Sequence, residues 1–455
     1  MASSISTTTI NGILPKLIER GRNLNVAQSR FFQEMEKVKK INKMNPTGLF
    51  TPYQTAENNT AFAVAEGGPI LAGSSPEYAM GVTQLRQHWS SIAWTGALER
   101  IKSEFLTQVQ QDSRYAGENL PTLMKRAGNL AVAAAIQSAL KMYARRENFF
   151  ALQGTDKSAI GVVTALPGAN VVRFSWATTN QGNRLFDVGQ QVQFFSPGGV
   201  QRTAGLATLG SSLYSTVTVV DKTAASGATG PVTFDDAPDV GAGGTELQVG
   251  DTAVFRNSYG LMPQGFIHYV DDTGTFKGIT RSSNPAIFSS VIQRLSGSPV
   301  ITPAHIRTQL SLMESKLGYE VPNDIQVWWS KTQEFNWEAQ IYTTPFVRNL
   351  DATKAGKIDL APGESYWNGR KFMKDPDVPP GHVNFINFST WRKVTQTPLQ
   401  AYEFDGGSFV INPINSYGER LDQRQSTIFS EYNWDCDDPR SNGRIEGALF
   451  ANEHV

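Results

Sequence analysis

The sequence is short of the groups that usually carry chemistry. It holds one cysteine, Cys436, so no intramolecular disulfide and no thiolate metal cluster can be built. Its histidines, His88, His268, His305, His382 and His454, are scattered, and gathering three around a zinc ion would need coincidence across the fold. Charge is scarce too: 18% of residues are charged, and 41 basic residues balance 41 acidic ones, so net charge points to neither nucleic acid nor membrane. There is no phosphate-binding GxxxxGK[ST] loop, because Gly356-Lys357 runs into Ile358 and position 351 is Asp351. Neither GxGxxG after a strand, nor HExxH, nor GxSxG is present. The longest low-polarity run, residues 130–140, is too short and too rich in alanine to span a bilayer. The N-terminus lacks a basic segment followed by an apolar run, which excludes a secretory signal there. The expectation is a soluble chain made in a cytoplasm, without metal, cofactor or membrane.

Turn chemistry is plentiful instead, with 40 glycines and 23 prolines in 455 residues. That length allows two or three domains. Few charges and many turns fit a chain with extensive surface against other protein, and equally a loop-rich β-protein.

Residues 1–12 are rich in Ser and Thr and read as an extended arm. Apolar residues then recur at helical spacing over 13–43 (Ile13, Leu17, Ile18, Phe31, Phe32, Met35, Val38). Eight basic residues there (Lys16, Arg20, Arg22, Arg30, Lys37, Lys39, Lys40, Lys43) outnumber three acids. The segment reads as a solvated amphipathic helix or as a basic arm facing nucleic acid or an acidic partner. Residues 56–98 carry paired glycines, prolines and little apolar mass, too little for a core of their own. Without a charge run they are also poor candidates for simple disorder, so they are expected to lie on something else.

Asn119 and Pro121 open the clearest helix, expected over 121–149 and roughly 43 Å long. Residues 186–258 read as short strands between glycine-rich turns, with alternation at Val217 and Val219 and at Val249, Thr252 and Val254; a small antiparallel barrel or sandwich is expected. Thr302-Pro303 and Gly318 bracket a helix whose stripe is Ile306, Leu310, Met313 and Leu317. Residues 325–329 (IQVWW) read as a strand buried on both faces, 330–340 as a short helix, and 382–388 and 408–411 as strands. Helices and strands alternate without regular βαβ units, which favours an α+β fold.

Adjacent carboxylates occur at Asp235-Asp236, Asp271-Asp272 and Asp437-Asp438, all in turn-like contexts where solvated acids are the ordinary outcome. The stretch KDPDVPPGHVNF (374–385) sets Asp375 and Asp377 either side of Pro376, with His382 close behind. It reads as a turn, because Asp bonds its own backbone and Pro fixes φ, leading into a strand.

The order of these features resembles the major capsid proteins of tailed bacteriophages, of the Hong Kong phage type. ALQGTDKSAIGV, VDDTGTFKGITRSSNPAIFSSV (270–291) and WNGRKFMKDPDVPPGHVNFINF (367–388) are each similar to that family, over roughly 56–450. The resemblance implies an N-terminal arm (1–55), an extended loop or β-hairpin (56–98), and a peripheral domain with a spine helix (99–154). It further implies an axial domain in two parts (155–185 and 259–395), interrupted by the inserted β domain (186–258), and returning strands (396–455). It implies self-assembly into pentamers and hexamers of an icosahedral head around double-stranded DNA, with synthesis and assembly in the bacterial host cytoplasm. The loop would cross a neighbouring subunit through Glu66, Gly67, Gly68, Pro69, Pro76, Glu77, Tyr78 and Trp89. Lys16, Arg20, Arg22, Lys37, Lys39, Lys40 and Lys43 would face DNA or scaffold without reading bases. A portal, a separate scaffolding protein and a decoration protein are the further partners the resemblance implies. Residues 56–98 contain no lysine, so no isopeptide weld from this loop is expected; only about fifty residues precede the loop, so no proteolytic loss of the arm is expected either. The alternatives are an encapsulin-like nanocompartment shell and an enzyme acting on glycosides through the acidic pairs and tryptophans.

Overall fold

A computed structural model describes residues 29–42, 48–56, 77–95, 138–168, 170–175, 182–202, 214–221, 230–235, 247–322, 324–343, 364–367, 370–404, 411 and 423–448. The chain divides into two units, one of residues 1–36, 86–148 and 395–432, the other of 37–85, 149–394 and 433–455.

In the first unit, helix α1 (Arg30–Lys37) buries Phe31, Phe32 and Met35. The expected helix over 13–43 does not run through. Its part up to residue 28 lies outside the described residues, and after Lys37 the chain turns to strand β1 (Lys39–Asn42), which belongs to the second unit. Sheet pairing at an edge position there overrides helical spacing. Strand β4 (Arg86–Thr95) pairs antiparallel with β19 (Gln423–Cys436), from Thr95 opposite Gln423 to Arg86 opposite Tyr432. One face of this ladder meets helix α2, residues 138–153. The His88 ring stacks on Tyr143 at 4.5 Å and contacts Glu147, while the Tyr143 hydroxyl lies 2.6 Å from Ser430 Oγ. Only the end of the expected spine helix is described, since 121–137 lie outside, and it closes at residue 153 rather than 149. Gly154 follows it at a position where a Cβ would strike the Phe150 and Pro263 carbonyls.

In the second unit, β2 (Leu49–Ala56) and β3 (Glu77–Thr83) form a two-stranded hairpin. Strands β5 (Gly161–Gly168), β6 (Val171–Ser175), β7 (Gln191–Phe195), β8 (Ser215–Val220), β9 (Val232–Phe234) and β10 (Thr252–Phe255) close a barrel in the order β10-β5-β6-β9-β8-β7. The barrel thus takes in β5 and β6, which the sequence reading had placed in the flanking domain. Its interior is filled by side chains, with Phe174 stacked on Phe186 at 4.4 Å and Phe194 and Phe234 edge-on at 5.5 Å.

A six-stranded mixed sheet follows. Its strands are β13 (Val291–Arg294), β14 (Gln326–Trp329), β15 (Glu364–Trp367), β16 (Arg370–Lys374), β17 (Val383–Ile386) and β20 (Gly443–Glu446), in the order β13-β20-β17-β14-β16-β15. Helix α3 (Pro303–Leu317) covers one face with Ile306, Leu310, Met313 and Leu317, against Val327, Trp329, Phe372, Val383 and Phe385. Its start is a capping box in which Thr302 accepts from the His305 amide while the His305 ring bonds the Thr302 amide; Gly318 ends it at φ +75°. Helix α4 (Lys331–Thr343) adds Trp337, stacked on Phe372 at 5.6 Å. The other face is buried as well, with Trp328 opposite both Met373 and Asn384. Strands β16 and β17 are not paired with each other: β14 lies between them, parallel to the first and antiparallel to the second.

Candidate functional site

The β2–β3 hairpin turns its apolar face outward. Its register sets Phe50 opposite Val82, Pro52 opposite Met80 and Gln54 opposite Tyr78, so these six residues share one face. Phe50, Met80 and Tyr78 are 49%, 57% and 65% exposed. Thr51, Tyr53, Gly81 and Thr83 occupy the other face, which lies on the body of the second unit. Tyr53 meets Phe276 and Phe288 edge-on, each at 5.7 Å. Gly81 is required at its position, because a Cβ would come within 2.8 Å of the Tyr53 ring and 3.2 Å of Lys277.

Under this inner face sits a buried charged cluster. The Lys277 ammonium lies 2.5 Å from Asp435 Oδ1, and both side chains are sealed from solvent. Lys277 Nζ also donates to the Tyr53 hydroxyl at 2.6 Å, and the Thr83 hydroxyl donates to Asp435 at 2.5 Å. Arg392 Nε donates to Asp435 Oδ2 at 2.9 Å, and the guanidinium also contacts Asp437 and the Thr51 hydroxyl. Burial works against the charge on Asp435, but Lys277 and Arg392 outweigh it and hold its carboxyl below the usual range. Burial, reinforced by Asp435, pushes the Tyr53 phenol up. The backbone places Lys277 here at some strain. It is the first of two turn residues, Lys277 at φ +50° and Gly278 at +84°, joining Thr275–Phe276 to Ile279–Thr280. Left-handed φ at a lysine costs roughly 1 kcal/mol, and this turn usually takes Asn-Gly or Asp-Gly.

Of the residues the sequence singled out, Glu66, Gly67, Gly68, Pro69 and Pro76 lie outside the described residues, as do Lys16, Arg20, Arg22 and Lys43. Glu77 and Tyr78 open β3 and are exposed. Trp89 is not on the hairpin. It belongs to β4 in the first unit, 43% exposed, stacked on Phe429 at 4.8 Å and edge-on to Tyr402 at 5.2 Å. Long-range pairing with β19 claims it, which spacing within 56–98 could not reveal. Lys37 ends α1, and Lys39 and Lys40 lie on β1; all three are exposed. Phe50, Pro52 and Met80 were missed on the hairpin, although Phe50/Pro52 and Tyr78/Met80 carry a period-two signal. Lys277, Asp435 and Arg392 left no sequence signal.

The described members of the acid pairs are turn and ion-pair residues; Asp236 lies outside the described residues. Asp235 accepts from the Thr216 amide at 2.7 Å, and Asp271 from the amide of Asp272 at 2.7 Å. Asp272 takes both arms of Arg294 at 2.6 and 2.8 Å, while Asp438 caps the Arg440 amide at 3.1 Å. No group of three His, Cys, Asp or Glu side chains placed to hold a metal occurs among the described residues. In the 375–382 turn, Asp375 Oδ1 accepts the Asp377 amide at 2.8 Å, as the sequence led us to expect. Both acids are buried, and His382 is buried beside Arg444; burial first, then that guanidinium, lowers the imidazole to about 3. A histidine so held is a neutral packing residue at ordinary pH.

No protein-family model matches the chain, and neither does any curated protein. Solved structures do. The chain is similar to the cyanophage A-1(L) capsid asymmetric unit at 11% identity, covering 90% of each chain with a TM-score of 0.45. It is similar to Mycobacterium phage Ogopogo at 9% identity, over 90% of this chain and 89% of that one, TM-score 0.42. It is also similar to the capsid of the native GTA particle at 8% identity, over 92% and 91%, TM-score 0.41.

Proposed function

We propose that the chain is a shell-forming structural protein, a major capsid protein of the Hong Kong phage type that assembles into pentamers and hexamers around double-stranded DNA. One observation carries this reading: the hairpin exposes Phe50, Pro52, Tyr78 and Met80 on one side of a two-stranded ribbon. A ribbon that spends its large apolar side chains on its solvent face gains their burial only against another molecule. The sequence resemblance, through the ordered segments at 151–163, 270–291 and 367–388, supplies the partner, a further copy of the same chain. Among the described residues, Asp271, Asp375 and Asp438 serve turns and caps and Asp272 an ion pair, which supports structural work over the glycoside-active alternative.

In this reading the β2–β3 hairpin belongs to the loop that crosses a neighbour, without β4, α2 belongs to the spine helix, and Lys37, Lys39 and Lys40 extend a basic arm toward DNA or scaffold. Electron microscopy of the purified protein tests it: shells, or rings of five and six, are expected, with nucleic acid inside phage-derived particles. A monodisperse monomer under all assembly conditions would overturn it. Shells holding protein cargo and no nucleic acid would move the assignment to a nanocompartment.

A further inference from the structure

We propose that the β2–β3 hairpin is a strap that opens as one piece, and that Asp435 is the latch that holds it down. Neither of the two cores described for the second unit includes a residue of the hairpin. Besides the Tyr53 ring and the close packing of Gly81 on Lys277, directional polar contacts hold the strap. Both of its strands converge on one ion pair, Lys277 and Asp435. From β2, the Tyr53 hydroxyl accepts from Lys277 Nζ. From β3, the Thr83 hydroxyl donates to Asp435, and the Val82 amide donates to the Lys277 carbonyl at 3.0 Å. Arg392, which reaches Thr51, is itself anchored on Asp435.

Asp435 therefore pairs with Lys277 and shares Arg392 with Asp437. Without its charge, the sealed Lys277 ammonium has lost the anion that makes its burial tolerable. The left-handed backbone at Lys277 then favours relaxation of the turn, and the Tyr53 and Val82 contacts leave with it. Two contacts at the strap's ends are independent of this cluster: Asn284 Nδ2 to the Thr55 carbonyl at 2.9 Å, and Asn433 Nδ2 to the Gln84 carbonyl at 2.8 Å. Lying at opposite ends of the ribbon, they release as well when the strap lifts as one piece. The barrel and the six-stranded sheet keep their own cores, so opening is local, a low-energy excursion distinct from unfolding. The inference rests on contacts within one chain and stands whether or not the chain builds shells.

Amide hydrogen exchange on the full-length protein, read by mass spectrometry, tests it. In Asp435→Asn, the amides of 49–56 and 77–83 are expected to exchange at least about tenfold faster, since a two-stranded ribbon lifted off its support is only marginally stable in water, while 326–329, 370–374 and 383–386 keep their protection. Unchanged hairpin exchange, or equal loss across the sheet, would overturn the latch. If Asp435→Asn does not fold, the double variant Tyr53→Phe/Thr83→Val decides. It leaves the ion pairs intact and removes the strap's own hydroxyls, and it should accelerate the same two segments alone; no acceleration would again overturn the proposal.

Discussion

Arg184, in the segment leading into β7, grips Asp377 of the 375–378 turn: its Nε lies 3.2 Å from Asp377 Oδ1, and Nη1 donates to the Pro376 carbonyl. Gln153, the last residue of α2, donates to the Asp377 carbonyl from another direction. The turn that resembled a reaction centre is a junction where three segments of the second unit meet. Asp377→Ala should cost about 1–3 kcal/mol, because it strips a buried turn of its side-chain anchor and leaves Arg184 without its acid. Denaturant unfolding measures this. Replacing Asp375 and Asp377 together should impair assembly and remove no enzymatic activity.

His382 sets a pH dependence. Its imidazole is held to about 3 in the fold, below the ordinary value near 6.5, so the unfolded chain binds the extra proton first as pH falls. Its contribution to stability is complete above pH ~6.5 and is lost as pH drops toward 3, with a slope of up to about 1.4 kcal/mol per pH unit. His382→Asn should flatten that part of the stability–pH curve. An unchanged slope would show that other groups carry it.

The barrel offers a paired test on one strand. Val217 is 1% exposed and Val219 is 55% exposed, although residues two apart on a regular strand share a face. A register shift between them, Val217 opposite Phe234 and Val219 opposite Thr233, reverses the alternation. Val217→Thr should cost about 1–3 kcal/mol by burying a hydroxyl, and Val219→Thr should stay within roughly 0.5 kcal/mol. Thermal melts of the two variants compare them directly.

The outward stripe should matter to association and little to folding. Met80→Asp and Tyr78→Asp place charge on exposed positions of β3, so the isolated chain should melt within a few degrees of the parent. Assembly, followed by light scattering, should fall at least about tenfold if the stripe is buried between copies. Wild-type assembly by both variants would remove the hairpin from the interface.

Features written within a few residues were legible in the sequence. Thr302-Pro303 and Gly318 delimit α3, Trp328-Trp329 fill both faces of β14, and Asp375 closes its own turn. Features made by closure were not. Barrel formation draws in β5 and β6 because β5 pairs with β10 and β6 with β9, partners distant in the chain. The bulge that turns Val219 outward leaves no trace in a valine alternation. The cluster of Lys277, Arg392 and Asp435 forms only when a tight turn, the start of the strand Trp391–Ala401 and the end of β19 converge. Sequence spacing assigned Trp89 to the extended loop for the same reason, since its partner Phe429 comes from the far end of the chain.

The barrel's first and last strands lie side by side: the Ile160 amide donates to the Ala253 carbonyl at 2.9 Å, and Gly161 stands opposite Ala253. The chain comes in and goes out through one doorway. A module whose two ends already touch can be exchanged for another domain with neighbouring termini, provided that its outward ties, the Arg184 grip on the 375–378 turn and the packing of Phe255 on Phe150, are replaced as well. Evolution or an engineer could treat residues 161–255 as a cassette, and the protein around it as the socket.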